Sequence, residues 1–199
     1  MLPAYFCHGE RGGLMSEITE RLPHGAAAPL RAALRFMRLF VAAGGLLMAL
    51  TFLAVVIIRY GFAGNLFAYE EWLLAISFWT FFFGAALAGE KKSHVNADIL
   101  GVVLGDGKLA WWRGILVYLI EIGVGAYIVY WCYLAVESEI IAYPLWERTT
   151  ALKIPAVLPR AAIMTGFAFM TLFNAIYFVL HLIDGPDAYH APRPEEDDA

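Results

Sequence analysis

Apolar positions in this chain fill whole segments rather than one helical face. Leu39 to Ile58, Trp72 to Gly89, Gly114 to Val136 and Ala161 to Ile183 are uncharged or nearly so. At about 1.5 Å of rise per residue, each can cross a hydrocarbon layer roughly 30 Å thick. The pattern predicts an all-α membrane protein with four transmembrane helices, at about residues 36–58, 72–89, 114–136 and 161–183, in a membrane domain covering 34–183. Leu30 to Arg38 is expected to carry the first helix into its headgroup layer. Residues 1–33 read as a tail punctuated by Gly12, Gly13, Pro23, Gly25 and Pro29. They lack a basic start followed at once by an apolar run and a small-residue cleavage site, so the first span is expected to stay as an anchor. Residues 184–199, with Glu195, Glu196, Asp197 and Asp198, read as a solvated acidic tail.

Composition agrees. Hydrophobic residues make up 61% of the chain and charged ones 16%, more apolar and less charged than a soluble domain. The net charge of −4 says little, because Glu195, Glu196, Asp197 and Asp198 sit together in the last tail; the positions of Lys and Arg say more. Ten of them fall in the N-terminal tail, the second connection and the C-terminal tail, against Arg59, Arg148, Lys153 and Arg160 on the other side. Basic residues favour the cytoplasmic side, so both termini are expected there. Cys7 and Cys132 fall in the tail and deep in the third span, too far apart for a disulfide.

The second connection runs Glu90-Lys91-Lys92-Ser93-His94-Val95-Asn96-Ala97-Asp98 and then turns apolar. His94 and Asp98 share a face of any helix formed there and can hydrogen-bond. The apolar residues that follow suggest an interfacial helix between spans 2 and 3, with Trp111 and Trp112 marking the next interface. The alternative for His94 and Asp98 is a cap and a solvated polar face. In the first connection, Arg59 and Tyr60 precede the turn residues Gly61, Gly64 and Asn65, and Tyr69, Glu70 and Glu71 follow. A hairpin would bring Arg59 near one or both glutamates, fixing how the helix ends pack or bridging to a partner. Paired carboxylates also serve in acid–base or cation sites, but no convergent groups accompany these.

Glu121 is the only acid within the spans so drawn. Insertion scales put an acid at the bilayer centre at roughly 2.5–3.5 kcal/mol, less at its distance of about 12 Å from Arg113. It either bonds to another helix or subunit, or snorkels or sits protonated. Small residues at Gly45 with Ala49, Gly84 with Ala88 and Ala85 with Gly89 form stripes for close helix approach, within this chain or with a partner. Phe78, Phe81, Phe82 and Phe83, and Phe167, Phe169, Phe173 and Phe178, read as lipid- or partner-facing bulk.

Taken in order, Arg59-Tyr60, a short turn, Glu70-Glu71 leading into an aromatic span, Gly84-Ala85-Ala86, basic residues, His94 and Asp98 resemble the small membrane subunit of tripartite ATP-independent periplasmic (TRAP) transporters, the DctQ type. The likeness covers Arg59 to Leu100, and the four-span layout extends it. It implies a subunit of the bacterial inner membrane that supports a large polytopic permease subunit, while a periplasmic substrate-binding protein delivers an organic acid for sodium-coupled uptake. It implies no enzymatic reaction, no cofactor and no nucleic-acid partner, with the substrate and sodium sites in the large subunit. Arg59, Tyr60, Glu70, Glu71, Gly84, Ala88, His94, Asp98 and Glu121 are then candidates for structure or subunit contact.

Other classes fit less well. A four-helix cytochrome needs pairs of histidines inside spans, yet of His8, His24, His94, His181 and His190 only His181 lies in one. A disulfide oxidoreductase needs a Cys-x-x-Cys motif, and a hydrolase needs a nucleophile with a base beside it; neither is visible. An unrelated four-span assembly or regulatory protein stays open. The orientation is checked by reporter fusions: one after Ala199 should report a cytoplasmic position and one at Asn65 a periplasmic position, and the reverse pattern would overturn it.

Overall fold

The computed structural model of the chain describes residues 24–62, 64, 67–90, 108–145 and 147–185. These form four helices: α1 (His24–Gly61), α2 (Tyr69–Glu90), α3 (Lys108–Ile141) and α4 (Val157–Asp184). Each contains a stretch long and apolar enough to cross a membrane, namely Ala28–Gly61, Tyr69–Glu90, Trp111–Ile141 and Val157–Ile183. The helices outrun the apolar segments: α1 starts at His24, and α3 continues past Val136 through Glu137 and Glu139. A helix satisfies its own backbone hydrogen bonds, so it does not have to stop where apolarity stops. At 38 residues α1 is about 57 Å long, well beyond the hydrocarbon thickness. The expected interfacial helix, with His94 and Asp98, lies outside the described residues, as do residues 1–23 and 186–199 of the two tails; residues 24–33, expected as tail, are instead the start of α1.

The helices do not close around one axis. α1 packs on α2, α2 on α4 and α4 on α3, and no other pair packs along its length. Among the described residues the result is a row in the order α1–α2–α4–α3. The start of α1 and the end of α4 lie at the same helix termini, the Arg38 end, where Arg38 meets Glu90 and Trp111 meets His181; the opposite termini form the Arg160 end. Leu34 and Met37 of α1, Phe83 and Ala86 of α2 and Phe173 of α4 form the buried cluster. Aromatic edges seal it: the rings of Phe40 and Phe83 stand 5.3 Å apart at 82°, and those of Trp79 and Phe83 5.2 Å apart at 68°. This corrects the expectation for the phenylalanines. Phe83 and Phe173 are core because α2 and α4 occupy the middle of the row, while Phe81 faces outward.

Without a hydrophobic drive between helices in lipid, association relies on close packing, and each seam here crosses at a glycine. A methyl group at Gly166 would lie 2.7 Å from Cβ of Phe82, and one at Gly114 2.7 Å from Nε2 of His181. At Gly44 and Gly125 it would collide with the hydroxyls of Thr80 and Thr171. The stripes read from the sequence are placed differently: Gly45 and Gly84 face open space, whereas Gly89 is buried. Spacing alone finds small residues but not which of two adjacent glycines points at a neighbour.

The contrast between Gly166 and Gly45 makes the packing testable. Gly166→Leu should lower stability in detergent micelles by about 1–3 kcal/mol through overpacking. Gly45→Leu should leave it unchanged or slightly raised, since a helix-favouring residue replaces glycine. Denaturant unfolding followed by circular dichroism checks both.

Candidate functional site

At the Arg160 end, the connection from α3 to α4 folds back on itself. Thr149 N–H donates to the Ile154 carbonyl at 3.0 Å, and Ala156 N–H to the Glu147 carbonyl at 2.9 Å. Arg148 and Pro155 form an isolated bridge between the two arms. The tip turns through Lys153 at φ 54°, a left-handed conformation that costs a non-glycine residue about 1–2 kcal/mol. Glu71, in the first turn of α2, holds this tip. Its two carboxylate oxygens accept the N–H groups of Ala151 at 2.8 Å and Leu152 at 2.7 Å, and the Thr149 hydroxyl also donates to it. Charge-assisted bonds of this kind are about twice as strong as neutral ones, which offsets the strained turn.

Beside the tip, Arg160 in the first turn of α4 pairs with both Glu139 and Glu147, the latter at 3.0 Å. Glu139 is 7% exposed, so its charge depends on partners. It has two, the Arg160 guanidinium and the Glu147 N–H, the latter at 3.3 Å. The triad joins the last turn of α3, the connection and the first turn of α4. A shallow cleft of about 220 Å³ lies alongside, lined in part by Glu71, Leu74, Ala75, Arg148 and Pro159.

At the Arg38 end, polar contacts follow the order of the row. Arg38 of α1 pairs with Glu90 of α2 at 3.4 Å. The Tyr177 hydroxyl of α4 donates to the Glu90 backbone carbonyl. Trp111 of α3 donates through Nε1 to the His181 carbonyl of α4 at 3.4 Å, and His181 Nε2 lies 3.2 Å from the Trp111 carbonyl, with the rings stacked at 6.2 Å. Glu90 is 1% exposed, and among the described residues its Oε1 has no hydrogen-bond partner.

The residues singled out from the sequence separate accordingly. Glu71 is a structural clamp on the connection that precedes α4. Arg59, Tyr60 and Glu70 are exposed, and among the described residues no ion pair joins Arg59 to Glu70 or Glu71. Gly84 opens outward, and Ala88 is half-buried. Glu121 is exposed on α3 and makes no hydrogen bond or ion pair among the described residues. Sequence reasoning missed Glu139, Glu90, Tyr177 and Trp111 as ties, and treated Arg38 and Arg160 only as topogenic charges. A usable signal was present: an acid and a base each stand within a turn or two of a span end, beside segments that must meet.

Among the described residues, no three His, Cys, Asp or Glu side chains cluster as a metal site would require. The polar groups tie helices and connections to one another instead of lining a chamber. Four membrane-length helices joined in this way define a polytopic membrane subunit. The sequence profile of the DctQ component of tripartite ATP-independent periplasmic transporters matches residues 47–184, from the middle of α1 to the end of α4. The chain belongs to this family, that of the small membrane subunit of TRAP transporters. Among curated proteins the comparison finds no match to it.

The triad gives an asymmetric mutational outcome. Arg160→Ala strips buried Glu139 of its cation and should lower stability by about 1–3 kcal/mol. Glu147→Ala removes only an exposed partner and should change it by about 0–1 kcal/mol. Chemical unfolding of the two purified variants beside the parent protein measures the difference.

Proposed function

We propose that this chain is the scaffolding small permease subunit of a sodium-coupled TRAP transporter, holding a large polytopic subunit that carries an organic acid delivered by a periplasmic binding protein. The observation that carries the reading is the family match across residues 47–184, spanning α2, α3, α4 and the second half of α1. Two features support a supporting role over a transporting one. The helices are continuous through the described spans, whereas midplane substrate sites are typically built from broken helices. Among the described residues the row also turns large apolar side chains outward, such as Leu50 on α1 and Val124 on α3, where another membrane protein can seat. In this reading the Arg38 end faces the cytoplasm, following the Lys and Arg bias, and the clamped connection at the Arg160 end faces the periplasm, in the inner membrane of a bacterium.

Reconstitution tests the reading. Proteoliposomes holding this chain, the large membrane subunit and the soluble binding protein should take up an organic acid driven by a sodium gradient, and omission of any one component should abolish uptake. Uptake of equal rate without this chain, or without sodium, would sink the proposal.

A further inference from the structure

Glu121 stands eight residues after Arg113 and sixteen before Glu137, roughly 12 and 24 Å along α3. The charged residues nearest the two membrane boundaries therefore bracket it, and the distance to Arg113 exceeds what a glutamate side chain can span. Its place around the helix is fixed by neighbours with known contacts. Gly114 faces His181, Tyr118 touches Phe178 and His181, and Gly125 faces Thr171. Positions 114, 118, 121 and 125 form one helical stripe, so Glu121 lies on the α3–α4 seam. On α4, Asn174 stands three residues after Thr171 and four before Phe178, on the stripe that faces α3 and at the level of Glu121.

Two polar side chains thus share one rung of the seam at membrane depth. Glu121 is exposed and Asn174 half-buried, and neither side chain has a hydrogen bond or ion pair among the described residues. Val117 and Val124, which flank Glu121, are 41% and 54% exposed, so the rung opens sideways into the space outside the row. The far end of the row differs in kind. The outward face of α1 presents Leu46, Leu47, Leu50, Leu53, Val56 and Ile57, side chains that acyl chains cover without loss. Acyl chains supply no donor to a carboxylate, and intramembrane acids face protein or a water-filled cavity.

We propose that the α3–α4 seam at Glu121 and Asn174 is the docking face for the large permease subunit, occupied by one of its transmembrane helices that presents a hydrogen-bond donor or cation at that depth, while the α1 face is left to lipid. This rests on the scaffold reading above. Glu121 accepts the donor's hydrogen bond, and Asn174, which both donates and accepts, fixes the register of the incoming helix.

The test uses the full chain co-expressed with its large subunit. A photo-crosslinking residue at Val124 should capture the large subunit, while the same residue at Leu50 or Val56 should not. With the seam otherwise intact, Glu121→Leu should lower the yield of copurified complex roughly three- to thirtyfold, the range of one interhelical hydrogen bond in a bilayer. The level of this chain alone in the membrane should not fall, and Glu121→Gln should restore assembly. Capture from Leu50 or Val56 alone, adducts at Val124 only with lipid or with a second copy of this chain, or an unchanged yield for Glu121→Leu would overturn the docking face and leave the scaffold reading standing. Failure of the unsubstituted pair to copurify would instead defeat the scaffold reading itself, and the docking face with it.

Discussion

A helix in hydrocarbon gains nothing by hiding leucines from lipid, so these four helices are held by what lipid cannot supply: backbone approach at glycine and bonds between polar groups. Each seam has both. Gly44 against Thr80 and Arg38 with Glu90 join α1 to α2. Gly166 against Phe82 and Tyr177 on the Glu90 carbonyl join α2 to α4. Gly125 against Thr171, Gly114 against His181, and the exchange between Trp111 and His181 join α4 to α3. A bond between helices in a bilayer contributes only about 0.6–2 kcal/mol, so the row depends on these contacts recurring at every seam rather than on any one of them.

The Arg160 end is organised differently, because there a connection rather than a helix must be held. Glu71 reaches from α2 to the tip of the α3–α4 connection, although α2 and α3 do not pack along their lengths. Arg160 then fixes the base of the same connection through Glu139 and Glu147. The connection is thereby anchored to three of the four helices, and the cleft beside it is lined from both sides.

Apolar runs in the sequence were sufficient for the four helices, because nothing soluble can carry stretches such as Gly114 to Val136. Family membership was readable too, from the order of short motifs around Arg59 to Leu100. Neighbour relations were not. Alternation of span direction puts α1 beside α2 as readily in a closed bundle as in a row, and only side-chain fit selects α4 as the partner of α2. The same limit explains the glycines. Gly44 and Gly45 are equally small, but a rotation of about 100° separates them on the helix, and which one meets Thr80 depends on the position of α2. Glu71 was singled out as one of a pair with Glu70 beside Arg59, but its ligands are backbone N–H groups some eighty residues away, and no residue type announces a backbone donor.

A row of rods flexes easily about lines parallel to the rods, much as a panel of slats folds at its joints. In this protein the joints are pinned near the Arg38 end across all three seams, and at the other end the clamped connection straps α2 to the α3–α4 pair. The joint between α1 and α2 is pinned at one end only, since among the described residues Arg59 and Glu70 make no tie there. Bending of the panel should therefore concentrate at α1, which can swing outward from the Arg160 end while the other three helices keep their shape.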